Sequence, residues 1–572
     1  MGTKRIVRAG AVWICGLAAI GSAAAQAIPH LAKTGPATQL IVDGKPFLVL
    51  GGELENTASS SDAYMKPVWP RLASMHLNTV LTGMSWAQFE PQEGKFDYTL
   101  IDHLLAGARE QNLHIIFVWF GSWKNGLSSF APAWVKADQG RFPRAQLGSG
   151  RSVEVLSTLS ENNRKADATA YQAFMRHLKE VDSDRHTAIM VQIENEVGLL
   201  GDSRDRSAVA NADFQKPVPK ALISYLQAHQ ATLRPELKAA WEANGTRSTG
   251  DWATVFGPRM ADEFFMAWNY AQYMNAVTKA GKSEYALPVF TNTWIVQPED
   301  GGPGDYPSGC PEPHVLDLWK AGAPEIDMNS PDIYLPDFID WVKRFHQNGN
   351  PMFVPESRAD ETGMGNAFYV IGQQDSIGYS PFGIDGARLL SATGAPRPAG
   401  PVDLQSLPIS KAYDVLQQLA PLILKAQGTG MIGAATLRSD QLSESLQVGD
   451  YTVHVGRPQM RRSMAVGSVV PVPEPAYAIV MATGPNEYVV AASNAEITFT
   501  PNTPGPPIAG LAQVQAGVYT NGVWVPGRWL NGDDVVINYK QAEAAATNQS
   551  GSGLRFAANG PTIQTVKLYR YQ

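Results

Sequence analysis

Ala188-Ile-Met-Val-Gln-Ile-Glu-Asn-Glu-Val-Gly198 begins as an apolar run long enough for one buried strand, then breaks into three polar residues, Glu194, Asn195 and Glu196. A parallel strand covered by helices on both faces reads as nearly continuous hydrophobic sequence. Carboxylates at the carboxyl end of such a strand lie at the rim where barrel enzymes place their chemistry. A strand ending in a solvated acidic loop gives the same pattern. The rest of the chain decides between them.

Outward from this stretch, strand-like and helix-like segments alternate. Upstream, residues 39–47 form a hairpin around the turn pair Asp43-Gly44. A buried strand at 47–53 then ends in Glu53, followed by a helix over 62–77. Residues 78–82 are a second strand, ending near Trp86 and Glu90, and Asp97 opens a helix with apolar residues at helical spacing. Residues 114–121 are a third strand carrying Trp119, with a helix over 168–181. Downstream, 202–286 is a long helical insertion, its best segments being 225–241 and 263–277. Strands follow at 287–294, 326–334, 351–358 and 376–384, with a helix at 338–345. Eight strand-like pieces interleaved with helices predict an α/β (β/α)8 barrel of the TIM type. After a helix over 410–425 the texture changes to short β-prone runs punctuated by Gly, Pro and Asn. The expected division is a catalytic barrel over 28–425 and a smaller antiparallel, sandwich-like β domain over 426–572.

A chain of 572 residues is too long for one core. Its net charge of -7 argues against nucleic acid or an anionic membrane as partner, since both select clustered Lys and Arg. Lys4, Arg5 and Arg8 precede an apolar run over 9–20 and small residues ending at Ala27, so 1–27 reads as a secretory signal peptide. The run is short for a bilayer span, and no stable membrane insertion is expected after cleavage. Bulky Ile14 before Cys15 disfavours a lipoprotein site. The expected location is periplasmic or extracellular. Cys310 is then the only cysteine left, which excludes an internal disulfide and a cysteine-based metal site.

The polar and aromatic residues at the expected strand ends are Glu53, Trp86, Trp119, Glu194, Asn195, Glu196, Asn292, Tyr334 and Glu356. Carboxylates on the fourth and seventh strands face each other across a barrel mouth, which is what cleavage of a glycosidic bond needs. One is protonated at rest and protonates the leaving oxygen, and the other is ionised and attacks the anomeric carbon. Their surroundings must therefore split their pKa values. Asn195 can hydrogen-bond a sugar hydroxyl without adding charge, and Tyr334 can hydrogen-bond the nucleophile. Core packing is the alternative for Trp86 and Trp119, and a structural acceptor role for Glu53. Asp332 reads as structural. His76, His103, His114 and His186 lack metal-ligand spacing, and no metal or cofactor is expected.

Val191-Gln-Ile-Glu-Asn-Glu-Val-Gly198 resembles the Gln-x-Glu-Asn-Glu-Tyr-Gly motif of glycoside hydrolase family 35, the β-galactosidases of clan A. Gly51-Gly52, Asn78-Thr-Val with Trp86 and Phe89-Glu90-Pro91, and Pro132-Ala133-Trp134 resemble that family's first three barrel units. The resemblance implies Glu196 as acid/base, Glu356 as nucleophile, Glu194 and Asn195 as galactose contacts, and a retaining mechanism without a metal. It implies a carbohydrate substrate, with terminal β-D-galactosyl residues removed from non-reducing ends, including xyloglucan side chains. Two departures bear on the sugar: Gly83 stands where the family often has Tyr, and 118–125 replaces an Arg-Pro-Gly-Pro-Tyr ending. The competing readings are another clan-A activity (β-glucosidase, β-xylosidase or endo-glycanase) and a carbohydrate-binding barrel without catalysis.

Overall fold

The parallel sheet grows in both directions from the strand Ala188–Asn195, which is buried along its whole length. On one side it pairs with His114–Lys124 and then Thr79–Ser85. On the other it pairs with Val289–Trp294, Met328–Ile333 and Glu356–Ser357 in turn. The first barrel strand, Val49–Leu50, pairs with the eighth, Gly378–Tyr379. Leu81 N donates to Gly52 O and Leu54 N to Leu81 O, joining the first strand to the second. Ile377 N and Ser380 N donate to Met352 O and Val354 O, joining the eighth to the seventh. The ring closes as the expected (β/α)8 barrel. In this computed structural model the chain is described at residues 2, 27–386, 403–458, 475–537 and 552–572; the expected leader, apart from residues 2 and 27, lies outside them.

Strand periodicity sorts side chains between two layers. Val49, Leu81, Ile116, Val118, Phe120, Met190, Phe290, Met328 and Phe353 fill the barrel interior. Their neighbours Val80, Phe117, Trp119, Val191 and Val354 face the surrounding helices. The hairpin Ala37–Val42 and Lys45–Phe47 turns through Asp43 (φ 52°) and Gly44 (φ 73°), the left-handed pair of a type I′ turn. It lays Leu40 and Val42 into the interior cluster and plugs the amino-terminal end of the barrel. The carboxyl end stays free for chemistry.

The helix Glu161–Asp182 starts on Ser160, whose hydroxyl accepts from Asn163 N, and ends on a fully buried Asp182. That carboxylate accepts from Thr187 N and Ala188 N at 3.1 and 2.7 Å and pairs with Arg109 at 2.6 Å, pinning the start of the fourth strand. The insertion contains Ala208–Phe214, Lys220–Ala228, Pro235–Ala243, Trp252–Phe256 and the long Ala261–Lys282. The expected single helix over 225–241 is two helices. Arg234 precedes Pro235 and is extended (ψ 141°), because a proline ring clashes with a helical predecessor.

Beyond the helix Pro408–Ala426 come two antiparallel sheets. The six-stranded one runs, in spatial order, Ile432–Leu437, Ala476–Gly484, Glu487–Ser493, Thr562–Tyr571, Ile508–Thr520 and Val523–Trp529. The five-stranded one runs Ser443–Val448, Tyr451–Gly456, Glu496–Pro501, Ser552–Arg555 and Val535–Ile537. Val453, Val455, Val490, Ile497, Phe499, Leu554 and Val566 pack between them as a sandwich core. The other face of the larger sheet, with Ile432, Ala434, Ile479, Val489 and Ile563, belongs to the same apolar cluster as the barrel helices. The helix Glu361–Gln373, which follows the seventh strand, fits against it through glycines. A Cβ on Gly372 would stand 2.7 Å from Ala434 Cβ and 2.8 Å from Ile479 Cδ1.

Candidate active site

The fourth strand does not run straight into its loop. Glu194 and Glu196 both take left-handed backbone (φ 57° and 45°), a conformation that is costly for non-glycine residues and clusters at functional sites. The third strand bulges opposite: pairing jumps from Trp119↔Ile193 to Lys124↔Asn195. Asn125 N and Gly126 N then donate to Asn195 O and Glu196 O at 3.1 and 3.0 Å, fixing this irregular backbone to its neighbour. The two φ reversals separate three consecutive polar side chains into different surroundings.

At the mouth, inward periodicity continues from Phe290 and Met328 to Asn292 and Asp332, and Asp332 lies in register with Glu356. Asn292 Oδ1 accepts from Glu196 N at 2.8 Å, while Asn292 Nδ2 donates to Asp332 Oδ2 at 2.7 Å. Tyr334 Oη donates to Glu356 Oε1 at 2.6 Å. Lys124, itself buried, donates to Asn195 Oδ1 and stands over the Phe120 ring, 5.4 Å from its centroid. Glu53, Glu196, Asp332 and Glu356 are each at most 8% exposed. Glu53 Oε2, Asp332 Oδ1 and Glu356 Oε2 receive no hydrogen bond from any described N–H or O–H group.

Four acidic groups around one lysine cannot all be ionised cheaply. Burial, reinforced by the charge of Glu356, pushes Glu196 up to about 7; Lys124 and a hydrogen bond with Asp332 restrain it. Burial, then Glu356, raises Glu53 well above the usual carboxylate range, and the same two causes raise Asp332. Such a cluster favours the protonated form of its buried members, which a general acid requires.

The structure brings Glu53, Asn195, Glu196, Asn292, Tyr334 and Glu356 together, and it removes three expected sugar contacts. Trp119 faces outward among Phe89, Tyr171 and Phe174, because its strand neighbours Val118 and Phe120 take the inward positions. Trp86 is fully buried against Trp134, its indole N–H donating to Glu90 at 2.8 Å. Glu194 is also fully buried; its oxygens accept from Ser122 N (3.0 Å) and Trp123 N (2.8 Å). Its carboxyl also hydrogen-bonds Asp167, which in turn accepts from Trp119 Nε1 and Ser122 Oγ. These groups brace the wall behind the site. Sequence reading misses Lys124, and it sets Asp332 aside although Met328, Ser330 and Asp332 share one strand face. The departure at Gly83 has a steric cause, since a Cβ there would lie 2.3 Å from the Phe120 ring. Among the described residues no group of three or more His, Cys, Asp or Glu side chains is placed to hold a metal ion.

Residues 62–287 match the glycoside hydrolase family 42 model, described as beta-galactosidase. That span carries strands two to four and the helical insertion, and so includes Glu196 but not Glu356. Residues 409–539 match a domain of unknown function, DUF5597. The motif resemblance pointed to family 35; the model that matches is that of family 42. A beta-galactosidase of Xanthomonas manihotis is 27% identical over 249 residues, 40% of this chain and 39% of that protein. Among solved structures, a beta-galactosidase from Rahnella sp. R3 is 17% identical with a TM-score of 0.45, over 66% of this chain and 57% of that one. One from Bacillus circulans sp. alkalophilus is 15% identical with a TM-score of 0.43, over the same shares. The chain thus spans less than two thirds of the length of each of these three relatives.

Proposed function

We propose that this protein is a retaining glycoside hydrolase that removes terminal β-D-galactosyl residues from the non-reducing ends of oligo- or polysaccharides. The observation that carries this reading is the pair Glu196 and Glu356, on strands four and seven. They are buried in one mouth, each within the other's field, with Glu196 holding a proton up to about pH 7 and Glu356 accepting from Tyr334. In the first step Glu196 gives its proton to the glycosidic oxygen while Glu356 attacks the anomeric carbon, so the aglycone leaves and a glycosyl ester forms on Glu356. In the second, Glu196 takes a proton from water, and the hydroxide displaces Glu356. Glu53, Asn195 and Asn292 line the position of the sugar ring. The match of 62–287 to a beta-galactosidase model supports the sugar. The motif at 191–198 supports family 35 as the finer assignment, and the amino-terminal leader supports export. Galactosylated xyloglucan side chains are the proposed natural target.

A second reading, hydrolysis of a β-glucoside or β-xyloside, is favoured by the departures at Gly83 and 118–125, with the Phe120 ring leaving no room for a side chain at Gly83. A panel of nitrophenyl glycosides separates the two. Turnover of the β-galactoside is expected to exceed that of the others, and none at all would sink the first reading. Glu356→Gly should abolish hydrolysis and recover part of it with azide, because a small anion fits the vacated space. Full activity in that variant would remove Glu356 as nucleophile. A barrel that only binds carbohydrate would turn over no glycoside in the panel.

A further inference from the structure

We propose that Asp332 is a positioning residue for the acid/base: it stays a neutral carboxyl through the catalytic cycle and donates a hydrogen bond to Glu196. This deepens the proposed hydrolase reading and rests on it. The geometry supplies three constraints. Asp332 is 4% exposed, and its Oδ2 is occupied by Asn292 Nδ2 at 2.7 Å. The same Asn292 holds Glu196 N through its Oδ1 at 2.8 Å, so a single amide sets both residues. Asp332 Oδ1 is buried and receives no hydrogen bond from any described N–H or O–H group, although its carboxyl is in hydrogen-bond contact with that of Glu196. Two carboxyls in contact require a proton between them.

The charges around Asp332 say which member keeps it. Glu53 from the first strand, Glu196 after the fourth and Glu356 on the seventh are acidic, and among the described residues Lys124 from the third is the cation acting on it; Tyr334 lies two residues on, and the charge of Glu196 also reaches Cys310, from the loop after strand five. Asp332 is the more deeply buried of the two and keeps one oxygen with no donor among the described groups, whereas Glu196 is 8% exposed at the mouth. The proton therefore belongs to Asp332. When Glu196 gives its own proton to the leaving group, Asp332 O–H stabilises the carboxylate left behind. When Glu196 takes a proton from water, Asp332 still holds its own, so the balance between substrate, water and Glu196 is unchanged.

Asp332→Asn tests this, because an amide offers Asn292 an acceptor and Glu196 a donor without carrying charge. The alkaline limb of kcat/KM should stay within a few tenths of a pH unit of wild type. A downward move of about one unit or more would mean that a negative charge had been removed, and the proposal would fall. Asp332→Ala loses the donor and should move that limb upward, with kcat reduced about tenfold or more. Infrared difference spectra of the resting proteins at pH 6 give an arm independent of turnover. A neutral-carboxyl C=O band present in wild type and missing in Asp332→Asn supports the assignment, and no such difference overturns it. If no glycoside is turned over but the band difference is present, the proton assignment stands and the hydrolase reading alone fails.

Discussion

Glu196 is where pH enters this molecule twice, through chemistry and through stability. As the proposed acid it must be protonated, so kcat/KM is expected to fall as pH rises through about 7, and Glu196→Gln should abolish that alkaline limb. For stability, its folded value of about 7 lies above the unfolded 4.5. Below 4.5 both states hold the proton. Between the two values only the folded state does, so stability drains away as pH rises, and the full cost is reached above 7. Glu196→Gln should therefore be more stable than wild type at pH 8 by roughly 1–3 kcal/mol, with the gain gone near pH 4.5. Urea unfolding at both pH values measures this, and an equal effect at both would contradict it. At this scale the sequence was legible in the placing of acidic residues at strand ends, since Glu196 and Glu356 do share one mouth. It was misleading where several types fit, because Trp119 and Glu194 are consistent equally with a sugar platform and with a wall, and only strand facing and a φ reversal separate those uses.

At the scale of elements, the barrel strands were readable because burial on both faces leaves an apolar run, and three of them, Val49–Leu50, Glu356–Ser357 and Gly378–Tyr379, are only two residues long. What was not readable is how strand ends are held. Asp182, at the end of a helix, fixes the first residues of the strand that carries Glu196. Asp182→Ala should orphan two buried amide N–H groups and cost about 2–4 kcal/mol, seen as a lower urea midpoint. Gly83→Ala belongs to the same class. Its Cβ must displace Phe120, and with it Lys124 above the ring, at a stability cost of about 1–3 kcal/mol. Its kcat/KM should fall further than that of Asp182→Ala measured at equal folded fraction. Equal losses would mean that Lys124 has no part in the site. The split of 225–241 was available from Pro235 alone, since the residue before proline disfavours helix whatever the apolar spacing promises.

For the whole molecule, the change of texture after residue 425 announced a sheet-rich unit, but apolar alternation cannot say which face of a sheet meets another body. Here both faces of the six-stranded sheet are used, one for the sandwich core and one for the barrel. The expected boundary at 425/426 also falls at the end of a helix whose Tyr413 Oη donates to Gly51 O (2.8 Å) and Tyr379 O (2.9 Å), joining it to strands one and eight. Gly372→Leu, which drives a side chain into Ala434 and Ile479, should lower the melting temperature of barrel and sandwich together, and calorimetry should show whether one transition becomes two. Among the described residues no helix is long and apolar enough to cross a membrane.

The glycine-lined helix Glu361–Gln373 carries one further consequence. It begins four residues after the strand of Glu356 and ends beneath the carboxy-terminal sheet. The barrel is thus not a portable module. Cutting the chain after the helix Pro408–Ala426, or grafting another accessory unit there, would uncover the surface on which the helix following Glu356 rests. Change in the sandwich is therefore expected to reach the site.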